Sequence, residues 1–140
     1  MIKKVFNKKG QQMVEFAVVL PIIILCMGIL VTFGQLVYAR MVVQAAAFDG
    51  ARGAVVEPTA SAGRNAADER AERTITNVLG KVEGSTRTTF SHQGWSRGNL
   101  LTYTVFVRIA PLFPVINENL QFSREVELRG VSVNMIEREN

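Results

Sequence analysis

The sequence predicts an α+β protein: a long N-terminal helix that crosses a membrane, then a small extracytoplasmic domain with a second helix and a three-stranded antiparallel sheet. Three observations predict it. No charged residue occurs from Phe16 to Ala39, and from Phe16 to Gly34 only Thr32 is polar; about 20 apolar residues are enough for a helix to cross a bilayer core. An apolar stripe at helical spacing follows between residues 64 and 79. Beyond it, apolar and polar residues alternate with the period of a half-buried strand.

Charge distribution orients this plan. The formal charge of +4 invites a nucleic-acid reading, but four of the sixteen basic residues (Lys3, Lys4, Lys8, Lys9) precede Gly10. The remaining twelve match the twelve carboxylates, so the chain from Gln11 onward is neutral. No nucleic-acid partner is expected. Basic residues flanking a span stay cytoplasmic, which puts the N-terminus inside and residues 40–140 outside. A secretory signal peptide has an apolar region of about 7–15 residues with a small-residue site directly after it. Here the run is longer, and Ala45-Ala46-Ala47 lies well downstream of it.

Taken in order, residues 1–10 are a leader without a fold of its own. The first helix begins near Gln11 or Gln12 and occupies residues 11–56, with the membrane segment at about 16–38. Pro21 removes a backbone hydrogen bond inside it, so a kink is expected near Ala17–Pro21. Tyr38 and Arg40 suit the membrane–water interface. Ala46, Gly50, Gly53 and Ala54 line a narrow face bare of side chains, on which another element can lie close. Asp49 and Arg52, three apart, can pair on the outer side. Pro58 with Gly53 marks the exit.

Residues 57–140 form the small domain. Thr59 to Gly63 reads as a linker. The second helix runs from about Arg64 to Leu79, with Ala67, Ala71, Ile75, Val78 and Leu79 as its apolar stripe, Glu69 and Arg73 paired on the opposite face, and Gly80 as its stop. Ser85–Ser91 is a short threonine-rich strand. Leu101, Tyr103, Val105, Val107 and Ile109 define a second strand with a clean period of two. Pro111 and Pro114 open a loop through Asn119. The last strand, Phe122 to about Met135, changes phase: Val126 and Leu128 are even, Val131, Val133 and Met135 odd. A bulge near Gly130 would bring them all to one face. The simplest assembly is a meander with the helices on its apolar face. Without disulfides so small a core is marginal, and support from the long helix or from neighbouring subunits is expected.

The residues argue against an enzyme. His92 is the only histidine and sits in a turn-rich loop, where an exposed polar role is the simpler account. Glu125 and Glu127 share a strand face but are flanked by Arg124 and Arg129, as on an ordinary solvated face. Gly80, Gly84, Gly94 and Gly98 are isolated turn glycines, not a phosphate loop. Cys26, the single cysteine, lies in the span and reads as a small apolar residue. Trp95 is either a core anchor or a contact surface. No cofactor, metal or small-molecule substrate is expected.

Glu15 is the exception. A carboxylate at the lip of a span can be a snorkelling interfacial group. Its setting, however, is Lys8-Lys9-Gly10-Gln11-Gln12-Met13-Val14-Glu15-Phe16: a basic leader, a glycine, four residues, a glutamate, an aromatic residue and an apolar helix. This pattern resembles the prepilin signature. Glu15-Phe16-Ala17-Val18-Val19-Leu20-Pro21 is similar to the opening of the TadE-like pseudopilins of tight-adherence (Tad) pilus systems. Ala45-Ala46-Ala47-Phe48-Asp49-Gly50-Ala51-Arg52 is similar to that family's small-residue and Gly-Ala-Arg segment. The resemblance covers residues 10 to 56 and fits the C-terminal part only loosely.

The resemblance implies a pilin-like first helix and cleavage by a prepilin peptidase between Gly10 and Gln11. It also implies an assembly role for Glu15 and Phe16, the carboxylate pairing with a newly made amine. The implied function is that of a pseudopilin or minor pilin in assembly of a Tad-type pilus. The implied partners are the peptidase, the inner-membrane assembly platform and other pilin or pseudopilin subunits. The implied location is the bacterial inner membrane, crossed once, with the C-terminal domain periplasmic and incorporation into a surface pilus left open. The alternative is an uncleaved, single-pass, periplasmic interaction module of a secretion system.

Overall fold

The computed structural model describes residues 8–80, 86–113, 115–116 and 122–137; the leader residues before Lys8 and the loop positions 117–121 lie outside them. Helix α1 (Lys8–Ala54) is continuous and includes Pro21. It starts three to four residues before the expected position. Helix α2 (Ala60–Leu79) starts earlier as well, because Thr59 caps it: the Thr59 hydroxyl accepts a hydrogen bond from the Ala62 N–H. A side-chain acceptor at that position satisfies a backbone donor that the first turn leaves without an intrahelical partner. The stretch expected to be a linker is therefore mostly helix. Gly80, with φ of 79°, ends α2 as expected, its N–H bonded to the Thr76 carbonyl.

Strands β1 (Thr86–His92), β2 (Leu100–Ile109) and β5 (Val126–Met135) form one antiparallel sheet in the order β1-β2-β5. Between β2 and β5, two-residue strands β3 (Val115–Ile116) and β4 (Phe122–Ser123) pair as a small separate ladder. The architecture is thus α+β, a long apolar helix followed by a second helix and a three-stranded antiparallel sheet. Both helices lie against one face of that sheet: Val43, Ala46, Ala47, Ala51 and Ala54 of α1 and Ala67, Ala71 and Ile75 of α2 share a buried cluster with Leu101, Tyr103, Val105 and Val107 of β2. The C-terminal half of α1 is part of the domain core, which is how so short a C-terminal segment obtains a second helix over its sheet. In the α2 stripe Val78 is exposed and Leu79 only partly covered.

The expected bulge at Gly130 is absent. The β2–β5 register runs without interruption from Leu100↔Met135 to Ile109↔Val126, with Val105 opposite Gly130. Directly opposed residues share a face, so Gly130 and Ser132 face the helices and Val131, Val133 and Met135 face away. Val133 and Met135 are 54% and 57% exposed. The reason is proximity. A Cβ on Gly130 would clash with the Val43 carbonyl oxygen and stand 2.8 Å from its carbon. The helix backbone crosses β5 too closely for a valine at that position. At the crossing, Gly130 and Ser132 fill the inward face and Val131 and Val133 take the outer one, while Val126 and Leu128, nearer the start of β5, stay on the inward face.

Gln44 locks this crossing. Its side-chain amide donates to the Val131 carbonyl at 2.7 Å and accepts from the Val131 N–H at 3.2 Å. The pair of bonds reproduces what a neighbouring strand would offer and covers one step of the β5 edge. The outer face carries a cross-strand pair of Arg108 with Glu127 at 3.2 Å and the Arg129 guanidinium over the Phe106 ring.

Candidate functional site

The candidate site is α1 itself, which has two halves of opposite character. From Gln12 to Met27 every side chain is exposed, including Glu15, Phe16 and Cys26. Gly10 lies in the first turns of the helix, and a Cβ there would meet nothing within 4 Å. Gln11 is helical, four positions before Glu15, so the two positions share one helix face. Among the described residues no side chain forms an ion pair with Glu15. Pro21 sits in the uninterrupted helix and deprives the Ala17 carbonyl of its usual donor. Beyond Glu15 this half displays an apolar surface that no other described residue covers, and the helix is long and apolar enough to cross a membrane.

The second half carries the small-residue face, and the structure brings its members together. Ala46, Gly50, Gly53 and Ala54 are buried. A Cβ on Gly50 would stand 2.5 Å from Tyr103 Cε1 and 2.9 Å from the Ala67 carbonyl oxygen. On Gly53 it would run into the Arg70 stem, 2.7 Å from Nε. This face is therefore used inside the subunit, against α2 and β2. The spacing of Asp49 and Arg52 permits a pair, but Asp49 instead accepts a 3.1 Å hydrogen bond from the Thr74 hydroxyl across the helix pair. On α2 the Glu69–Arg73 pair forms as expected.

Two polar contacts fasten the helix pair to the sheet. The buried Tyr103 donates its phenol proton to Asp68 at 2.8 Å. Burial, followed by that hydrogen bond and the carboxylate's charge, pushes the phenol well above its usual range and keeps it neutral. Trp95, ambiguous in the sequence, is an anchor: its indole N–H donates to the Glu57 carbonyl, in the turn between α1 and α2, at 3.2 Å, and its ring covers Gly63 at the start of α2. His92 is exposed and edges against Phe90 and Trp95. Glu125 precedes β5, while Glu127 is engaged by Arg108, so the two carboxylates do not form a pair.

One set of functional-surface residues escapes the sequence reading. The loop after β2 turns back onto α1, with the Leu112 N–H donating to Gln35 Oε1 at 3.1 Å and the Phe113 ring against Gly28. The only hint in the sequence is the apolar character of Leu112 and Phe113 between two prolines.

These features define a class: a small α+β domain built onto the C-terminal half of one long helix whose N-terminal half is exposed and mostly apolar. Within it, residues 10–52 match the family model described as TadE-like protein. The match spans the glycine–glutamate signature, the apolar run and the first two members of the small-residue face, Ala46 and Gly50, so the N-terminal part of the chain is similar to TadE-like proteins. No curated protein and no solved structure matches the chain.

Proposed function

We propose that this chain is a pseudopilin, or minor pilin, that takes part in assembly of a Tad-type pilus. A prepilin peptidase cleaves it after Gly10. The bare half of α1 then holds it in the inner membrane, N-terminus cytoplasmic and domain periplasmic, until it docks with other pilin subunits at the assembly platform. The observation that carries this reading is the TadE-like match beginning at Gly10 and running through Glu15 to Arg52. The exposed, unpartnered surface from Gln12 to Met27 supports it, because in a bundle of such helices that surface is what neighbours would cover. The small-residue face is already occupied within the subunit, so helix–helix docking uses the N-terminal half.

Chemically, cleavage creates an α-amine at Gln11. An amine and a carboxylate about 4 Å apart attract by roughly 4 kcal/mol at an effective dielectric near 20. Among helices packed side by side, the pairing of that amine with Glu15 selects which subunit docks and at what axial offset. The test is the intact mass of protein purified from membranes. Loss of residues 1–10 supports the proposal; a full-length chain with Met1 present overturns it in favour of an uncleaved, single-pass interaction module.

A further inference from the structure

The domain's contact with α1 reaches unexpectedly far toward the N-terminus. Between Gln12 and Ala39 the buried positions on the helix are Gly28 and Thr32, with Ala39 itself, the first two one turn apart on the same face and the Thr32 hydroxyl folded back onto the Gly28 carbonyl. Phe113 covers Gly28, its Cε2 3.1 Å from where a Cβ would stand, and Gln35 holds the Leu112 N–H. From Gln35 to Gly28 the loop thus follows α1 for seven residues, about 10 Å along the axis. Yet Leu112 and Phe113 remain 65% and 45% exposed.

This placement conflicts with a domain held clear of the membrane. If the loop stayed outside the hydrocarbon, only Phe16 to Met27 would be left to span it, about 18 Å of helix against a core of about 30 Å. Counting from Gln12, with Glu15 drawn inside, extends this to only about 24 Å. Tilting the helix would shorten its reach further, and thinning the bilayer by so much is costly. The core must therefore include the stretch of α1 that Phe113 covers.

We propose that Pro111, Leu112 and Phe113 form a wedge inserted beside α1 into the acyl-chain region of the outer leaflet. The inference rests on the reading that α1 spans a membrane. The loop's chemistry suits the site: two large apolar side chains are exposed, Pro111 has no backbone N–H to satisfy, and the Leu112 N–H is satisfied by Gln35. Non-helical backbone is tolerated at membrane depth where protein covers it, and here α1 covers the loop through Gln35 and Gly28. The wedge fixes the height and rotation of the domain over the bilayer, so the subunit is anchored at two points.

The test uses the full chain carrying Cys26→Ala, reconstituted in phosphatidylcholine–phosphatidylglycerol vesicles. Single environment-sensitive fluorophores are attached through Leu112→Cys, through Ile24→Cys in the span, and through Thr89→Cys on the outer strand β1. Quenching by nitroxide-labelled lipids is compared with quenching by aqueous iodide. The expected result is that probes at 112 and 24 are quenched by lipid nitroxides and shielded from iodide, several-fold in each direction relative to the probe at 89. A lipid-quenched probe at 24 with an iodide-quenched probe at 112 overturns the wedge and leaves the span standing. A probe at 112 shielded from both quenchers is covered by protein instead, which also overturns it. If the probe at 24 is open to iodide, the span itself fails, and the wedge falls with it.

Discussion

Substituting Gly130 by alanine tests the contact on which the domain turns. The added methyl would lie 2.8 Å from the Val43 carbonyl carbon and 3.0 Å from the Gln44 nitrogen, where ordinary contact begins at 3.4 Å. Both are helix backbone, so no rotamer change relieves the overlap. Helix α1 must withdraw from β5 by about 0.6 Å or more. Overpacking of this kind costs about 1–3 kcal/mol. The same withdrawal stretches the two Gln44–Val131 hydrogen bonds, each worth about 1 kcal/mol. The expected total is about 2–4 kcal/mol, a large fraction of the roughly 5–15 kcal/mol that stabilises a typical domain. Denaturant titration in detergent micelles, followed by Trp95 fluorescence, measures it, because the indole reports docking at the turn between α1 and α2. Hydrogen exchange of the Val131 amide should accelerate in parallel. Gly34→Ala is the control, since a Cβ at Gly34 meets nothing within 4 Å. A Gly130→Ala protein within about 0.5 kcal/mol of the parent, below the usual cost of overpacking, with Val131 still protected, would refute the close crossing.

Three other outcomes are expected. Gly10→Val should block cleavage, because the residue before the cut must fit a small pocket; unprocessed chain in membrane fractions is the readout, and normal processing rules out this site. Glu15→Gln should be cleaved and inserted yet co-purify poorly with partner pilins, with Glu15→Asp intermediate. Lost attraction and relieved burial of charge oppose each other, so membrane stability should hardly move; wild-type co-purification and piliation would reduce Glu15 to an interfacial carboxylate. Tyr103→Phe tests the phenol's raised pKa. A group whose pKa is raised by folding contributes stability that is complete below its unfolded value, about 10 for tyrosine, and is lost as pH rises through the folded value. Above pH 10 the parent should lose stability relative to Tyr103→Phe by about 1.4 kcal/mol per pH unit, and parallel pH profiles would contradict it.

The sequence by itself determined the long apolar helix, the second helix with its Gly80 stop, the alternating strand β2 and the signature from Gly10 to Phe16. Each is a local pattern: an uncharged run longer than a bilayer, a repeat of three and four, a repeat of two, and a fixed spacing between a glycine and a carboxylate. The tertiary structure alone decided what each face meets. Periodicity reads apolar residues as inward, and the second half of β5 reverses that rule because the backbone of α1 at Val43 crosses Gly130 with no room for a side chain. Asp49 has Arg52 within reach on its own helix, yet α2 places Thr74 nearer. Nothing local to Leu112 and Phe113 says that they lie along α1 down to Gly28. That contact depends on the direction in which β2 releases the chain and on a glycine about 85 residues earlier, a long-range meeting that no sequence window contains.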